Sequence, residues 1–105
     1  MCGLAGFIDF ENKLELAHQA NIIQAHRGPD NQSVWSDNHI AFAHQRLSII
    51  DLSERSNQPF LKHDYVIVFN GEIYNYKEIQ NNYLQNVTFR TTSDTEVVLD
   101  RKSVV

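Results

Sequence analysis

The only cysteine of the sequence is residue 2, directly after Met1. A cysteine thiolate attacks carbonyl carbons well, but a base must first remove the thiol proton. Once Met1 is trimmed, the α-amine of Cys2, with a reference pKa of about 7.7–8.0, can act as that base. If Met1 stays, this nitrogen is an amide and cannot. The position therefore predicts a nucleophile that carries its own base, and a cysteine that only packs as a small hydrophobe is the alternative.

Asn70 and Gly71, in the segment "FNGEIYNY", could stabilise a negative charge. The apolar run before them predicts a buried strand, so a side-chain amide and a backbone N–H would be presented together at its end. Such donors form an oxyanion hole for a tetrahedral intermediate. The alternative is a hairpin turn, which Asn-Gly favours, although a helix signal follows here.

Arg46 and Asp94 could hold the two charged groups of one small molecule. Arginine binds carboxylates through two parallel hydrogen bonds, and a carboxylate such as Asp94 can hold an ammonium group. The alternatives are an exposed surface arginine and an acid that complements a helix dipole. Together with a thiol nucleophile and an oxyanion hole, these two residues suit an amino acid with a second carbonyl, and glutamine fits this description.

The elements that must position these residues are predicted as strands and helices in mixed order, which indicates an α+β fold with helices packed on sheet. Strands are predicted over 3–10, 32–36, 39–50, 65–71 and 87–91, with a tight turn at Asp37-Asn38. One helix is predicted over 14–26, with an apolar stripe of Leu16, Ala17, Ala20 and Ile23 and an end at Gly28-Pro29. Two more are predicted from capping boxes at Asn75/Glu78 and Ser93/Glu96. A loop is predicted over 51–60.

The composition excludes several classes of protein. The 105 residues predict one domain, and a net charge of −4 with scattered Lys and Arg argues against nucleic-acid binding. The apolar runs are too short to span a membrane, and the N-terminus lacks a signal-peptide pattern. The five histidines do not have the spacing of metal ligands. We therefore expect a cytoplasmic protein with no metal site and no membrane or nucleic-acid partner.

Five segments in order resemble the class II glutamine amidotransferases, most of all the glutaminase domain of glutamine-hydrolysing asparagine synthetase. They are "MCGLAGF", "HRGPD" at 26–30, "QRLSIIDLS" at 45–53, "FNGEIYNY" at 69–76 and "SDTEV" at 93–97. "HRGPD" with "RLSIIDLS" favours the asparagine synthetase branch, and a glutaminase domain of another class II amidotransferase is the alternative. The resemblance implies an N-terminal-nucleophile hydrolase fold, a four-layer αββα sandwich.

The resemblance also implies a role for each matching position. Cys2 matches the nucleophile, Asn70 and Gly71 the oxyanion hole, and Arg46 and Asp94 the groups that hold the α-carboxylate and α-ammonium of glutamine. The glutamine pocket is completed by Glu72 and by the backbone of Leu47, Ser48, Ile49 and Ile50. "HRGPD" lies near the pocket and has an architectural role. The implied reaction converts glutamine and water to glutamate and ammonia through a γ-glutamyl thioester on Cys2.

Finally, the resemblance implies that residues 1–105 are the N-terminal portion of an incomplete glutamine amidotransferase domain, from which the sequence departs at about Asp100. The tail "DRKSVV" is predicted to add no clear packing element. ATP and Mg²⁺ are expected only in a synthetase domain that lies outside this sequence, and no cofactor is expected in this chain. A glutamine-binding module without catalysis and an inactive fragment are the alternatives.

Overall fold

Three strands form an antiparallel sheet in the order β1-β3-β2. The computed structural model describes residues 2–48 and 53–104, and these strands are β1 Gly3–Ile8, β2 Asn31–Ser36 and β3 Ile40–Arg46. The Asp37 carboxylate accepts hydrogen bonds from the backbone N–H groups of His39 and Ile40, at 2.8 and 2.7 Å. Asp37 thus closes the β2–β3 hairpin, and the predicted turn is confirmed.

Helix α1, Lys13–Ile23, packs on one face of this sheet. Its Ala17 forms the core with Ala41 and Ala43 of β3, all three fully buried. Small side chains at the contact let the helix approach the sheet closely. The predicted stripe is wrong at one end, because Ile23 is 77% exposed.

The helix also ends earlier than predicted. It stops at Ile23, and a 3-10 turn over Ala25–Arg27 precedes Gly28. The inward position one turn after Ala17 is Asn21, which is buried. Its amide donates to the Ser33 carbonyl at 2.8 Å, so the hydrogen bond compensates for burying a polar group.

The opposite face of the sheet is apolar and partly open. Ile8 is 63% exposed there, and Leu4 of the same strand is also exposed. Phe42 and Trp35 stack beside them with ring centroids 6.0 Å apart. The mostly apolar sequence of β1 predicts a buried strand, but among the described residues only the side facing α1 is covered.

The second half of the chain forms a two-stranded sheet and two helices. Strands β4, Phe60–Lys62, and β5, Tyr65–Ile67, pair antiparallel, followed by α2, Tyr76–Tyr83, and α3, Asp94–Val104. The predicted strand over 65–71 ends at residue 67, and β4 begins at Phe60, the last residue of the stretch predicted as a loop. Within the described ranges, no helix is long and apolar enough to cross a membrane.

The two predicted capping boxes differ from the structure. Asn75 precedes α2, but its side chain makes no capping hydrogen bond. Ser93 does cap α3, because its hydroxyl accepts from the Thr95 N–H at 3.1 Å. Glu96 instead accepts from the backbone N–H groups of Arg90 and Thr91.

A buried ion cluster joins β4 to α3. The Lys62 ammonium lies 2.7 Å from a Glu96 oxygen and 2.6 Å from an Asp100 oxygen, and it donates to the Thr88 carbonyl at 2.9 Å. Burial raises the pKa of Glu96, but hydrogen bonds from Lys62 and Thr91 outweigh this effect and lower it. Asp100 is the first residue of the tail predicted to add no packing element, so that prediction is wrong at this position.

Replacing Lys62 with methionine is expected to lower the free energy of unfolding by about 3–5 kcal/mol, because two buried carboxylates would lose their cation. Urea denaturation would measure the change. Lys77→Met, at an exposed position of α2, is the control and should change stability by less than about 0.5 kcal/mol. Equal stability of the two variants would show that the cluster adds nothing to stability.

Candidate active site

A cavity of about 370 Å³ lies where the start of β1, the end of β3, the segment after β5 and the start of α3 meet. Seven residues singled out by the sequence line it: Cys2, Arg46, Leu47, Asn70, Gly71, Glu72 and Asp94. Six further residues complete the lining: Ser56, Gln58, Phe69, Tyr74, Ser93 and Thr95. Residues far apart in the sequence thus share one concave site.

Cys2 is held at the cavity by the end of β3. The Leu47 N–H donates to the Cys2 sulfur at 3.2 Å, and the thiol lies 3.6 Å from the Leu47 carbonyl oxygen. This follows from the strand register, because Gly3 pairs with Gln45. The Arg27 Nε also donates to the Cys2 carbonyl at 3.1 Å. Cys2 is therefore fixed on both sides.

The "HRGPD" segment packs against the end of β3 that also contacts Cys2. A side chain at Gly28 would place its Cβ 2.4 Å from the Gln45 carbonyl group, so only glycine fits. The Asp30 N–H donates to the Arg46 carbonyl at 2.9 Å, and the Asp30 carboxylate accepts from the Ser48 N–H at 2.7 Å. Ser48 does not line the cavity, while Ile49 and Ile50 fall outside the described residues.

Arg46 is 5% exposed, which excludes the alternative of a surface arginine. Its Nη1 donates to the Ser53 carbonyl at 2.8 Å and to the Asn57 side-chain oxygen at 2.9 Å. These bonds hold the guanidinium in one orientation at the cavity wall. A fixed arginine suits recognition of a planar carboxylate.

Asn70, Gly71 and Glu72 lie in the exposed segment between β5 and α2. The chain continues from Gly71 into helix α2 and not into a second strand, so the hairpin alternative is wrong. The three residues are open to the cavity, where a ligand can approach the Asn70 amide.

Asp94 is the first residue of α3 and is 6% exposed. One carboxylate oxygen accepts from the Ile73 N–H at 2.9 Å. The bond ties the start of the helix to the segment that carries Gly71. A negative charge at this end is also favourable for the helix dipole, so the two interpretations of Asp94 are compatible.

Sequence reasoning missed the buried polar side chains behind these residues. Gln58, Ser56 and Thr95 line the cavity and are buried. No pattern distinguished Gln58 from its polar neighbours in the predicted loop, and only the packing of α3 against this segment reveals it. The sequence indicated Thr95 only weakly, through its position next to Asp94.

His44 lies on β3, two residues before Arg46, and is fully buried. Neither ring nitrogen has a hydrogen-bond partner among the described residues. Burial, with a smaller contribution from the Arg46 charge, lowers the pKa of His44 to about 4. The nearby Phe69 backbone offsets part of this lowering of the His44 pKa without forming a hydrogen bond to the ring. His44 is therefore neutral near pH 7.

We expect His44 to make the fold less stable in mild acid. In the unfolded chain its pKa is about 6.5, so below that pH the unfolded state binds a proton that the folded state excludes down to about pH 4. Stability should be highest above about pH 6.5 and fall towards pH 4. Urea titrations at several pH values should show a weaker fall for His44→Gln. The exposed His18→Gln is the control, and an unchanged profile for His44→Gln would contradict the assignment.

Known proteins resemble this chain along nearly all of its length. The glutamine amidotransferase domain family matches residues 1–103. The match therefore extends a few residues past Asp100, where the sequence is predicted to depart from the family. Glutamine-hydrolysing asparagine synthetase 1 of Bacillus subtilis (strain 168) is 43% identical over 108 residues, covering 94% of this chain and 17% of that protein. Asparagine synthetase B of Escherichia coli (strain K12) is 34% identical, covering 94% of this chain and 19% of its own length.

A protein with a different name also matches. Amidase chry2 of Gibberella zeae is 37% identical over 116 residues, covering 94% of this chain and 17% of that protein. The chain spans less than a quarter of the length of these three relatives. The shared region is thus the domain that the family match describes, and the chain belongs to the glutamine amidotransferase domain family.

Proposed function

We propose that this domain hydrolyses glutamine to glutamate and ammonia, with Cys2 as the nucleophile. One observation supports the proposal above others. A single cavity is lined by the only thiol of the chain, by the buried Arg46 and Asp94, and by the Asn70-Gly71 pair. Its volume of about 370 Å³ lies in the range of small-molecule sites.

The charged residues orient the substrate. The α-carboxylate of glutamine binds the Arg46 guanidinium, and the α-ammonium binds the Asp94 carboxylate. Both charged groups are held in place before the substrate binds. Arg46 donates hydrogen bonds to Ser53 and Asn57, and Asp94 accepts one from the Ile73 N–H. Such positioning lowers the entropic cost of bringing the side-chain amide to the thiol.

The chemical steps follow from the thiol and the freed amine. After removal of Met1, the α-amine takes the thiol proton, and the sulfur attacks the side-chain carbonyl carbon of glutamine. The resulting oxyanion accepts hydrogen bonds from the Asn70 amide and the Gly71 N–H. The intermediate collapses when the nitrogen leaves as ammonia with the proton from the amine, which leaves a γ-glutamyl thioester. Water, deprotonated by the same amine, then cleaves the thioester to glutamate and the free thiol.

In a longer protein the ammonia would pass to a synthetase domain, where ATP and Mg²⁺ activate aspartate for amidation. The names of the matched synthetases support this assignment, and the match to an amidase supports another class II amidotransferase as the second candidate. We also propose that residues 1–105 belong to a cytoplasmic four-layer N-terminal-nucleophile fold. The open apolar face around Ile8 and Phe42 would then pack against a second sheet, and this domain itself would use no cofactor.

The proposal is tested with a γ-diazoketone analogue of glutamine, which reacts with thiols that attack the side-chain carbonyl position. Mass spectrometry should find one adduct, on Cys2, in chain from which Met1 has been removed. Excess glutamine should slow its formation, and excess acetamide, which lacks the α-carboxylate and α-ammonium groups, should not. A folded chain that binds glutamine by calorimetry without forming the adduct would instead indicate a binding module. Neither binding nor adduct would indicate an inactive fragment.

A further inference from the structure

Gln58 connects two parts of the cavity that the sequence places far apart. Its side-chain oxygen accepts a hydrogen bond from the Phe69 N–H at 2.6 Å, and its nitrogen donates to the Thr95 hydroxyl at 3.2 Å. Phe69 directly precedes Asn70, and Thr95 directly follows Asp94. One buried amide therefore contacts the neighbours of both residues.

The bond to Phe69 replaces a missing strand contact. β5 ends at Ile67, so the Phe69 N–H lies beyond the strand pairing and receives its partner from the Gln58 side chain. Gln58 is itself buried. The Phe69 bond is partly buried, and a donor that loses its partner away from water is costly. Loss of the Gln58 oxygen would therefore favour a different backbone path at Phe69 and at the following Asn70.

The bond to Thr95 fixes the other end. Thr95 is buried in the first turn of α3, and its hydroxyl accepts from Gln58 while its N–H donates to the Ser93 side chain. The first turn also carries Asp94, which accepts from the Ile73 N–H just after the Asn70-Gly71 segment. Gln58 and Asp94 thus cross-link the same two segments from two sides.

We propose that Gln58 is a positioning residue that sets the separation between the oxyanion-hole donors at Asn70-Gly71 and the ammonium-binding carboxylate of Asp94. The inference rests on the proposed function. A glutamine molecule must reach both sites at once, so a shift of either segment misaligns its side-chain carbonyl. Misplacement by about 1 Å can lower a rate by about 10²-fold.

The first test measures the rate at which the diazoketone analogue labels Cys2. Gln58→Met keeps the length of the side chain and removes both hydrogen bonds, and Thr95→Val removes one with nearly the same shape. We expect labelling by the analogue to slow by about 10- to 100-fold in Gln58→Met and by less in Thr95→Val. Labelling by iodoacetamide, which lacks the amino-acid groups, should change by less than about twofold. Gln19→Met, on an exposed face of α1, is the matched control and should label like the parent chain.

The second test does not depend on catalysis. Amide hydrogen exchange measured by NMR should show protection of the Phe69 N–H in the parent chain, loss of that protection in Gln58→Met and its return in Gln58→Glu, whose carboxylate can accept the same bond. Labelling of Gln58→Met at the parent rate, or Phe69 exchange that is unchanged by the substitution, would overturn the inference. If the parent chain is not labelled, the proposed function fails. The Phe69 exchange alone then decides whether Gln58 fixes the backbone position of the segment that carries Asn70 and Gly71.

Discussion

Replacing Cys2 with serine is expected to abolish labelling by the diazoketone analogue and to lower glutamine hydrolysis by about 10⁴-fold or more. Serine keeps the size of the side chain, but its hydroxyl is a far weaker nucleophile than a thiolate at neutral pH. The Leu47 N–H, now 3.2 Å from the sulfur, can donate to the serine oxygen, so the fold should be retained. Coupled detection of glutamate, with thermal melting as a check on folding, measures the effect.

The proposed mechanism also requires a free α-amine on Cys2, which ordinary cysteine catalysis does not. The base is the α-amine, so acetylation of that amine should remove activity nearly as completely as Cys2→Ser, although the thiol remains. Activity of the unmodified chain should rise as the pH passes the reference pKa of an α-amine, about 7.7–8.0, and level off above it, because the protonated amine cannot accept the thiol proton. Full activity of acetylated protein, or of protein that retains Met1, would show that another group is the base.

Much of the candidate site could be predicted because single residues carry the functional groups that its chemistry needs. Cys2, Arg46 and Asp94 each carry a functional group whose use is restricted by its position or charge, and the structure places all three at one cavity. The hairpin of β2 and β3 was predictable for a similar local reason, since Asp37 makes its own turn contacts within three residues.

The parts that sequence did not reveal depend on contacts between distant segments. Residues 87–91 have the composition of a strand, but the described backbone there forms none. The N–H groups of Arg90 and Thr91 bind the Glu96 carboxylate instead, and this tertiary contact overrides strand propensity. Lys62 and Asp100 are likewise charged residues that would be expected at the surface. They are buried only because they meet each other and Glu96.

Removal of the Asn70 side-chain amide is expected to lower the rate constant of glutamine hydrolysis by about 10²–10³-fold, equivalent to roughly 2.7–4 kcal/mol of transition-state stabilisation. The amide meets an oxyanion that exists only after the sulfur has attacked, so Asn70→Ala should reduce kcat and leave KM nearly unchanged. Asn70 is exposed, and its loss should therefore change the free energy of unfolding by less than about 0.5 kcal/mol.

Asn75→Ala provides the matched control for this experiment. Asn75 lies in the same segment between β5 and α2 and is also exposed, but it does not line the cavity and its side chain makes no capping bond. Steady-state kinetics should show a large fall in kcat for Asn70→Ala and none for Asn75→Ala. A rise in KM with kcat retained would mean that Asn70 holds the ground-state substrate, and an equal loss in both variants would mean that the segment acts through its fold. Only a kcat effect confined to Asn70 fits a donor that is aimed at the charge developing on the substrate.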